Sequence, residues 1–591
     1  MEPIWTVYGK RADFKGIGER FGIDQVVARI IRNRDITGDE NIEKYLAGGL
    51  NMTYDPLLMA DMEKGCRIMA EKIKEGKHIR IISDYDVDGV MSNYILLDGL
   101  KNAGAFVTYD IPDRMMDGYG INERLIREAA DAGVDTIITC DNGIAAFPAT
   151  RLAKELGMTV IVTDHHEVPY ETNCDGTRSY TLVNADAVID IKRQDCNYPY
   201  KELCGAGVAY KFIRCLYDRM DIQWDNPEKY IEMVAIATQC DVMELTDENR
   251  IFVREGLKIL PRTDNIGLSS LLSANGLEGK PIYSYHLGFV IGPCINATGR
   301  LESAKEGLAL LMCEDKEEAR RLAEHLKELN ISRKNMTEDG VKDAVVQVEQ
   351  KLKNDVVLVI YLDKLHESLA GIVAGRIREK YYKPVFVVTD AEGGLLKGSG
   401  RSIEGYHMFD ALTEIKDSLE KFGGHELAAG FTLKKESLHD MRRRLNENQR
   451  LTEKELTPTV KIDVPMPISY ITEPLINQLS LLEPFGKGNE KPLFAQAGLR
   501  VKRAMQFGRE KQYIRITFMD ADGFTMEAVD FKGIDFLKNI KMWFHEQECD
   551  RMLKGLPNNI ILDVAYYPDM NEYGGRRSIQ IKPVMYKKHE E

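Results

Sequence analysis

At 591 residues the chain is well past the size at which one hydrophobic core stops growing, so about two to four domains are expected. Its net charge of −14 excludes a surface coated for nucleic acid, no run approaches the roughly 18 apolar residues of a membrane span, and "MEPIWTVYGKRADFKG" is no secretory leader, so a cytoplasmic protein is expected. Ten cysteines without a CxxC pair exclude a zinc ribbon or a disulfide framework and read as buried thiols.

In chain order, residues 1–50 contain "GIDQVVARIIRNRDI" and "ENIEKYLAGGL", which read as short helices packing on the lobe that follows. From about residue 79 to 190, strands "IRIISD", "FVTYDI", "VDTIITCD", "TVIVTD" and "YTLVNA" alternate with amphipathic helices, the pattern of a parallel sheet covered on both faces. This lobe is assigned to 51–315. Residues 316–352 read as a long connector helix, with Leu322, Leu326, Leu329, Val341, Val345 and Val348 at spacings of three and four and Gly340 as a point of interruption. A smaller α/β lobe, 353–455, begins at "DVVLVIY" and carries "GGLLKGSGRS" and "FGGHELAAGF". In 456–591 a Pro-rich linker leads into antiparallel strands: Ile514, Ile516 and Phe518 share a face, "MDADG" is a hairpin turn, and a small β-barrel follows. Residues 496–591 hold 16 Lys and Arg against 14 Asp and Glu, so this end carries +2 and the first 495 residues −16.

Four acidic or imidazole clusters are expected at strand ends of the first lobe, where ligands gather in such sheets. They are Asp84, Asp86 and Asp88 in "SDYDVDG", Asp141 in "CDNGI", Asp164, His165 and His166 in "TDHH", and Asp241 after "EMVAIATQC". One such acid is an ordinary helix cap or turn former, but four clusters along one edge would repel unless divalent cations compensated them. Carboxylate and imidazole without thiolate suit Mn²⁺, with Mg²⁺ the second choice. Two ions about 3.5–4 Å apart would activate a water and stabilise the leaving oxygen of a phosphoester. Cys140 and Cys240 adjoin two of the acids, but strand alternation turns neighbours away. Gly89 is expected to let the chain turn into the next helix.

The motifs "DYDVDG", "CDNGI", "TDHH" and "CDVMEL", in this order, resemble the DHH phosphoesterase superfamily. Within it, "LCGAGVAYKF", "INATGRL", "AGIVAGRIREKYYKPV", "GSGRS", "FGGHELAAGF" and "EPFGKGNEKPLF" resemble the RecJ-type exonucleases, while "GVMSN" and "ATQCDVMEL" depart from the usual pattern without removing a ligand. The resemblance implies an α/β fold, a parallel-sheet DHH domain and a smaller DHHA1 domain joined by the long helix, plus a C-terminal OB-like barrel. It implies a 5′ to 3′ exonuclease acting on single-stranded DNA in recombination and repair, with two Mn²⁺ ions or Mg²⁺. Metal ligands would be Asp86, Asp88, Asp141, His165 and Asp241, with Asp84 in or beside the shell and Asp141 bridging. His166 would contact the scissile phosphate or protonate the leaving group, and Asp164 would orient the histidines.

Arg114, Asn296, Arg300, Ser399 and Arg401 would recognise the 5′ end, and His425 would approach the cleft. In the barrel Arg500, Lys502, Arg503, Arg509, Lys511, Tyr513 and Arg515 supply a basic groove with aromatic character, and Phe518 and Phe531 read equally as core or as stacking platforms. Partners implied are single-stranded DNA with a 5′ end, a single-strand-binding protein and a helicase, for a monomer. A nanoRNA or cyclic-dinucleotide phosphodiesterase is the alternative within the chemistry. A non-catalytic DNA-binding replication scaffold is the alternative outside it, marked by loss of the metal ligands, which this chain retains.

Overall fold

The computed structural model describes residues 3–590 apart from 115–116, 118–119, 174, 225, 227 and 574. The chain forms two units, one of Gly49–Pro458 and one of Pro3–Gly48 with Thr459–Glu591.

In the first unit β1 (His78–Ser83), β2 (Phe106–Asp110), β3 (Thr136–Cys140), β4 (Thr159–Asp164) and β5 (Ala187–Asp190) form an all-parallel sheet in the order β2-β1-β3-β4-β5. Alternation sends Ile79, Ile81, Ile138 and Ile161 into one core and Ile82, Ile137, Val160 and Val162 into another, so both faces are covered. The fifth strand is "AVID" and not "YTLVNA": Leu182 of the latter is 40% exposed, whereas all of Ala187–Asp190 is buried. Tyr180 instead closes Arg178–Tyr180, which pairs with Tyr170–Thr172 as a small hairpin.

Helices α1 (Val87–Asn102), α2 (Gly205–Arg219) and α3 (Ile231–Cys240) pack beside this sheet, followed by α4 (Gly292–Leu301) and α5 (Lys316–Gln347). The stretch before Asp241, expected as a strand, is α3. Residues 231–238 are buried on every side, and a run without a polar face carries no period to separate helix from strand. Helix α5 passes through Gly340 without a break and continues as a π turn, Val348–Leu352.

The second sheet of this unit, β6 (Leu358–Tyr361), β7 (Val385–Asp390), β8 (Leu395–Arg401), β9 (Lys421–Gly424) and β10 (Ala428–Lys434), has the order β9-β10-β8-β7-β6 and is parallel only between β6 and β7. Leu358, Ile360, Val385 and Val387 pack with Ala344 of α5 and with Val373, Ala374 and Ile377 of α6 (Ala370–Tyr381).

In the second unit β11 (Phe494–Phe507), β12 (Tyr513–Met519), β13 (Thr525–Asp530), β14 (Ile561–Tyr573) and β15 (Arg576–Lys588) pair as β11-β12-β13-β15-β14, and β14 pairs back onto β11 to close a five-stranded barrel. Ile514, Ile516 and Phe518 fill its interior with Phe536 and Ile540 of α7 (Gly533–Leu553), a helix not anticipated in this segment. Residues expected to pack on the first lobe contribute here instead: Val27, Ile30 and Ile31 share the barrel unit's core, Ile4–Val7 pairs in parallel with Thr459–Ile462, and Arg34 makes a buried ion pair with Asp463 at 2.7 Å. An apolar helix face and a buried guanidinium both need a partner, and residues 459–591 provide it. Among the described residues no helix is long and apolar enough to cross a membrane.

Candidate active site

Three of the four expected clusters lie at carboxyl ends of β1, β3 and β4, and α3 delivers the fourth from its own C-terminus. Asp84 follows β1 and is buried, Asp86 is the N-cap of α1, and Asp88 lies in its first turn. Asp86 Oδ1 accepts the amides of Asp88 at 2.9 Å and Gly89 at 3.1 Å, so Gly89 is helical and the turn comes before it. Asp88 is clamped from the opposite side. Its two oxygens accept the amides of Gly205 at 2.6 Å and Ala206 at 2.8 Å, the N-terminus of α2, where the positive helix end favours a carboxylate. A Cβ on Gly205 would lie 2.7 Å from Asp141 Cβ and 3.1 Å from Asp88 Oδ2, so glycine is what lets the helix end reach the acids. "LCGAGVAYKF" stands out in the sequence, but nothing in it announces the clamp on Asp88.

Asp141 adopts the left-handed conformation (φ 59°), which Asp tolerates, directly after β3. His165 Nε2 lies 3.0 Å from Asp141 Oδ1, 3.5 Å from Asp88 Oδ2 and 3.8 Å from Asp241 Oδ2. Asp164 is a hub: Oδ1 accepts the amides of His165 at 2.8 Å and His166 at 3.3 Å and His166 Nδ1 at 2.7 Å, while Oδ2 accepts the Ile144 amide at 2.9 Å. Three ligand groupings result, Asp84–Asp86–Asp141, Asp88–His165–Asp241 and Asp141–His165–His166, each with its ligand atoms within 4.8 Å of one another.

The electrostatics are those of a cation site. Burial, then Asp86, pushes the Asp84 carboxyl up to about 8, and burial with the charges of Asp88, Asp86, Asp84 and Asp241 raises Asp141 well above the usual range. Asp84 Oδ1 and His165 Nδ1 are buried with no hydrogen-bond partner among the described residues. Burial holds His165 below its ordinary value, favouring the neutral ring that ligates metals. Like charges gathered in this way persist as carboxylates only beside positive charge, and an oxygen and nitrogen donor set without thiolate fits Mn²⁺ or Mg²⁺. Burial raises Asp164, but the His166 hydrogen bond and both histidine charges outweigh it and hold the group below the normal range. His166 is the mirror case, lowered by burial and carried by Asp164 up to about 9.

Opposite sign gathers nearby. The Arg114 guanidinium lies 4.9 Å from the Tyr85 ring centroid, and Arg300 of α4 donates to the Ser368 carbonyl at 2.7 Å. Burial, then Arg114, lowers Arg300 to about 10, and burial, Arg378 and Arg114 lower Arg401, so guanidiniums of both lobes lie within range of one another. Arg401 Nη1 donates to Ser399 Oγ at 3.2 Å, and a Cβ on Gly371 of α6 would come within 2.9 Å of both side chains. Asn296 is half-buried on α4. His425 lies in the exposed turn between β9 and β10, its Nδ1 accepting the Leu427 amide at 3.3 Å, a bond confined to that turn. Arg333 and Arg376, which add to the cationic field, escape a reading of the sequence because a lone arginine on a helix reads as a surface residue.

On the barrel Arg500, Lys502, Arg503, Arg509, Lys511 and Arg515 are exposed and Tyr513 is half-buried. Tyr513 stands between Phe507 at 5.5 Å and Phe531 at 5.4 Å, and Arg515 lies 5.8 Å from the Phe507 ring. Phe518 is fully buried, whereas Phe531 is 59% exposed.

A catalytic-type acidic edge on a parallel sheet, a second α/β lobe bearing guanidiniums and a closed small barrel define a DHH-type phosphoesterase architecture. Residues 78–238 match the DHH family N-terminal domain, 354–450 the DHHA1 domain and 462–584 the RecJ OB domain. The chain is 31% identical over 581 residues to the single-stranded-DNA-specific exonuclease RecJ of Escherichia coli (strain K12), covering 94% of each chain. With its namesake from Bacillus subtilis (strain 168) it shares 35% identity over 506 residues, covering 85% of this chain and 62% of that one. The crystal structure of RecJ from Thermus thermophilus in complex with Mn²⁺ superposes with a TM-score of 0.81 at 25% identity, covering all of this chain and 80% of the other. The chain belongs to the RecJ family of single-stranded-DNA-specific exonucleases.

Proposed function

We propose that this protein hydrolyses single-stranded DNA from its 5′ end, in recombination and repair, releasing nucleotides one at a time. The observation that carries this reading is the meeting of three ligand groupings, linked through Asp141 and His165, with the guanidiniums of Arg114, Arg300 and Arg401. Asp84, Asp86 and Asp141 would hold one divalent ion and Asp88, His165 and Asp241 the other, with Asp141 shared. When bound, such ions supply Lewis acidity and an activated water at neutral pH.

The chain's own residues do the rest. Arg300, Arg401, Ser399 and Arg114 bind a terminal phosphate by charge and by their N–H and O–H donors, which sets polarity, and Asn296 and His425 line the approach. Asp164 fixes the His166 ring through Nδ1 at 2.7 Å. Held cationic with a value near 9, His166 can donate a proton to the departing 3′ oxygen. The exposed barrel cations and the Phe507–Tyr513–Phe531 group hold the trailing strand by charge and stacking.

The reading is tested with a single-stranded oligonucleotide labelled at either end. In Mn²⁺ the 5′ label is released first as mononucleotide while a blunt duplex persists. Release of the 3′ label first, or equal loss of the duplex, removes the proposal. Faster turnover of dinucleotides than of long strands would move the chain to the nanoRNA class.

A further inference from the structure

The motif "CDVMEL" supplies Asp241 and then makes a turn that its own residues do not favour. Helix α3 ends at Cys240, the Asp241 amide donates to the Ala237 carbonyl at 2.9 Å, and the Met243 amide returns to the Thr238 carbonyl at 3.1 Å. Such a closure places the residue between them in the left-handed region, where glycine is usual. Here that residue is Val242, at φ 56°. A β-branched residue is strained in this conformation, and the strain persists only where the surroundings hold the chain. The Val242 side chain is not what holds it, being 61% exposed.

The fasteners lie just beyond. Asn249, wholly buried in the helix Asp247–Ile259, spends its side-chain amide on two backbone carbonyls: Nδ2 donates to Glu244 at 3.0 Å and also to Glu202. Its Oδ1 has no hydrogen-bond partner among the described residues, so these two bonds orient the amide. The Tyr200 hydroxyl donates to the same Glu244 carbonyl at 3.1 Å and meets Thr246 Oγ1 at 3.1 Å. At the other end of the Asn249 amide, Glu202 begins the segment in which Gly205 and Ala206 give Asp88 its two amides. Cys204 in that segment adds a second tie, its Sγ lying 3.4 Å from Thr238 Oγ1 of α3. One buried amide therefore joins the segment that clamps Asp88 to the turn that follows Asp241. These two carboxylates share His165, whose Nε2 is 3.5 Å from the first and 3.8 Å from the second. Residues that hold ligands in place commonly affect metal affinity about 10–100-fold.

We propose that Asn249, seconded by Tyr200, is a positioning residue of the metal site: by tying Glu244 to Glu202 it keeps the strained Val242 turn closed and so sets the separation of Asp88 and Asp241. The inference rests on the reading of Asp88, His165 and Asp241 as the holders of one ion and adds what fixes their spacing.

The test is calorimetric titration of the full chain with Mn²⁺ after treatment with EDTA and dialysis, with the melting temperature of the metal-free protein recorded beside it. Asn249→Leu, close in volume but without donors, is expected to weaken binding of one ion about tenfold and to leave the other within about twofold. Tyr200→Phe keeps the ring and loses only the hydroxyl, and is expected to weaken the same ion about threefold. Val242→Gly, which makes the turn favourable by itself, should restore that affinity to within about threefold of wild type when added to Asn249→Leu. A lowered melting temperature with Mn²⁺ affinity unchanged in both single variants, equal weakening of both ions, or no recovery with Val242→Gly overturns the proposal. Should Asn249→Leu fail to fold, Tyr200→Phe alone and with Val242→Gly decides it. A wild-type chain that takes up no Mn²⁺ would instead remove the reading of the site on which the inference rests.

Discussion

The acidic edge of the parallel sheet and the outer face of the barrel use the same residue types under opposite conditions. At the sheet edge three of the carboxylates are fixed by the backbone: Asp88 takes two amides from α2, Asp86 two from α1, and Asp164 three amides and a ring nitrogen. On the barrel, Arg515 has an aromatic ring at 5.8 Å and Arg503 a single threonine at 3.3 Å. Burial explains the difference. A carboxylate withdrawn from water needs each lone pair satisfied or a cation beside it, whereas an exposed guanidinium keeps its hydration. Chemistry at one phosphorus tolerates little displacement, and a flexible strand is gripped equally well by charges that move with it.

The contrast is broken most sharply at Asp141. Asp141→Asn is expected to lower turnover at least about a thousandfold with the fold retained, measured as mononucleotide release beside circular dichroism. The same variant sharpens the electrostatic side. Wild-type protein stripped with EDTA should gain thermal stability as Mn²⁺ is added, about 2.7 kcal/mol at a hundredfold excess over Kd, and Asp141→Asn should gain clearly less. Equal stabilisation of the two would remove Asp141 from the ligand set.

Next in size is Arg401. Arg401→Ala should lower kcat/KM on 5′-phosphorylated strands by about 10–100-fold and erase the preference over 5′-hydroxyl ends, and Arg401→Lys should not restore it because the planar fork is lost. An unchanged preference would place 5′ recognition elsewhere.

These two sites also differ in how much of them can be read before folding. Asp84, Asp86, Asp88 and Asp141 announce themselves because an acid after a run of β-branched residues implies a strand end, and β1 and β3 confirm the placement of those strands. The helix before Asp241 is legible as apolar and not as helical, since residues 231–238 are buried all round and show no period. The clamp of Gly205 and Ala206 on Asp88 depends on contact across 117 and 118 residues of sequence, which no local pattern encodes. For the same reason Val27, Ile30 and Ile31 can be seen as an apolar helix face while their partner, the barrel core, cannot. The barrel's cations are legible only as a composition, because any exposed strand face carries such residues, and only packing separates Phe518 from Phe531.

Removing the barrel unit tests its share. Because residues 3–48 share its core, deleting 459–591 alone should leave an apolar surface that aggregates, whereas removing 1–48 as well should leave a soluble chain. That shortened chain should bind long strands about tenfold more weakly while still cleaving short ones, as read by anisotropy against oligonucleotide length.

The smallest effect distinguishes stacking from packing. Phe531 is 59% exposed and meets Tyr513 edge-on at 5.4 Å, while Phe518 is wholly enclosed. Phe518→Ala opens a cavity in the barrel and should cost about 3–5 kcal/mol of stability. Phe531→Ala removes an exposed ring and should leave stability within about 0.5 kcal/mol, yet weaken binding of a long single strand about fivefold, the lower part of what one stacked base contributes. The decisive comparison is the ratio of the two losses in a single protein preparation. If Phe531→Ala destabilises the chain and leaves affinity intact, the ring belongs to the barrel's packing, and strand binding there rests on the cations alone.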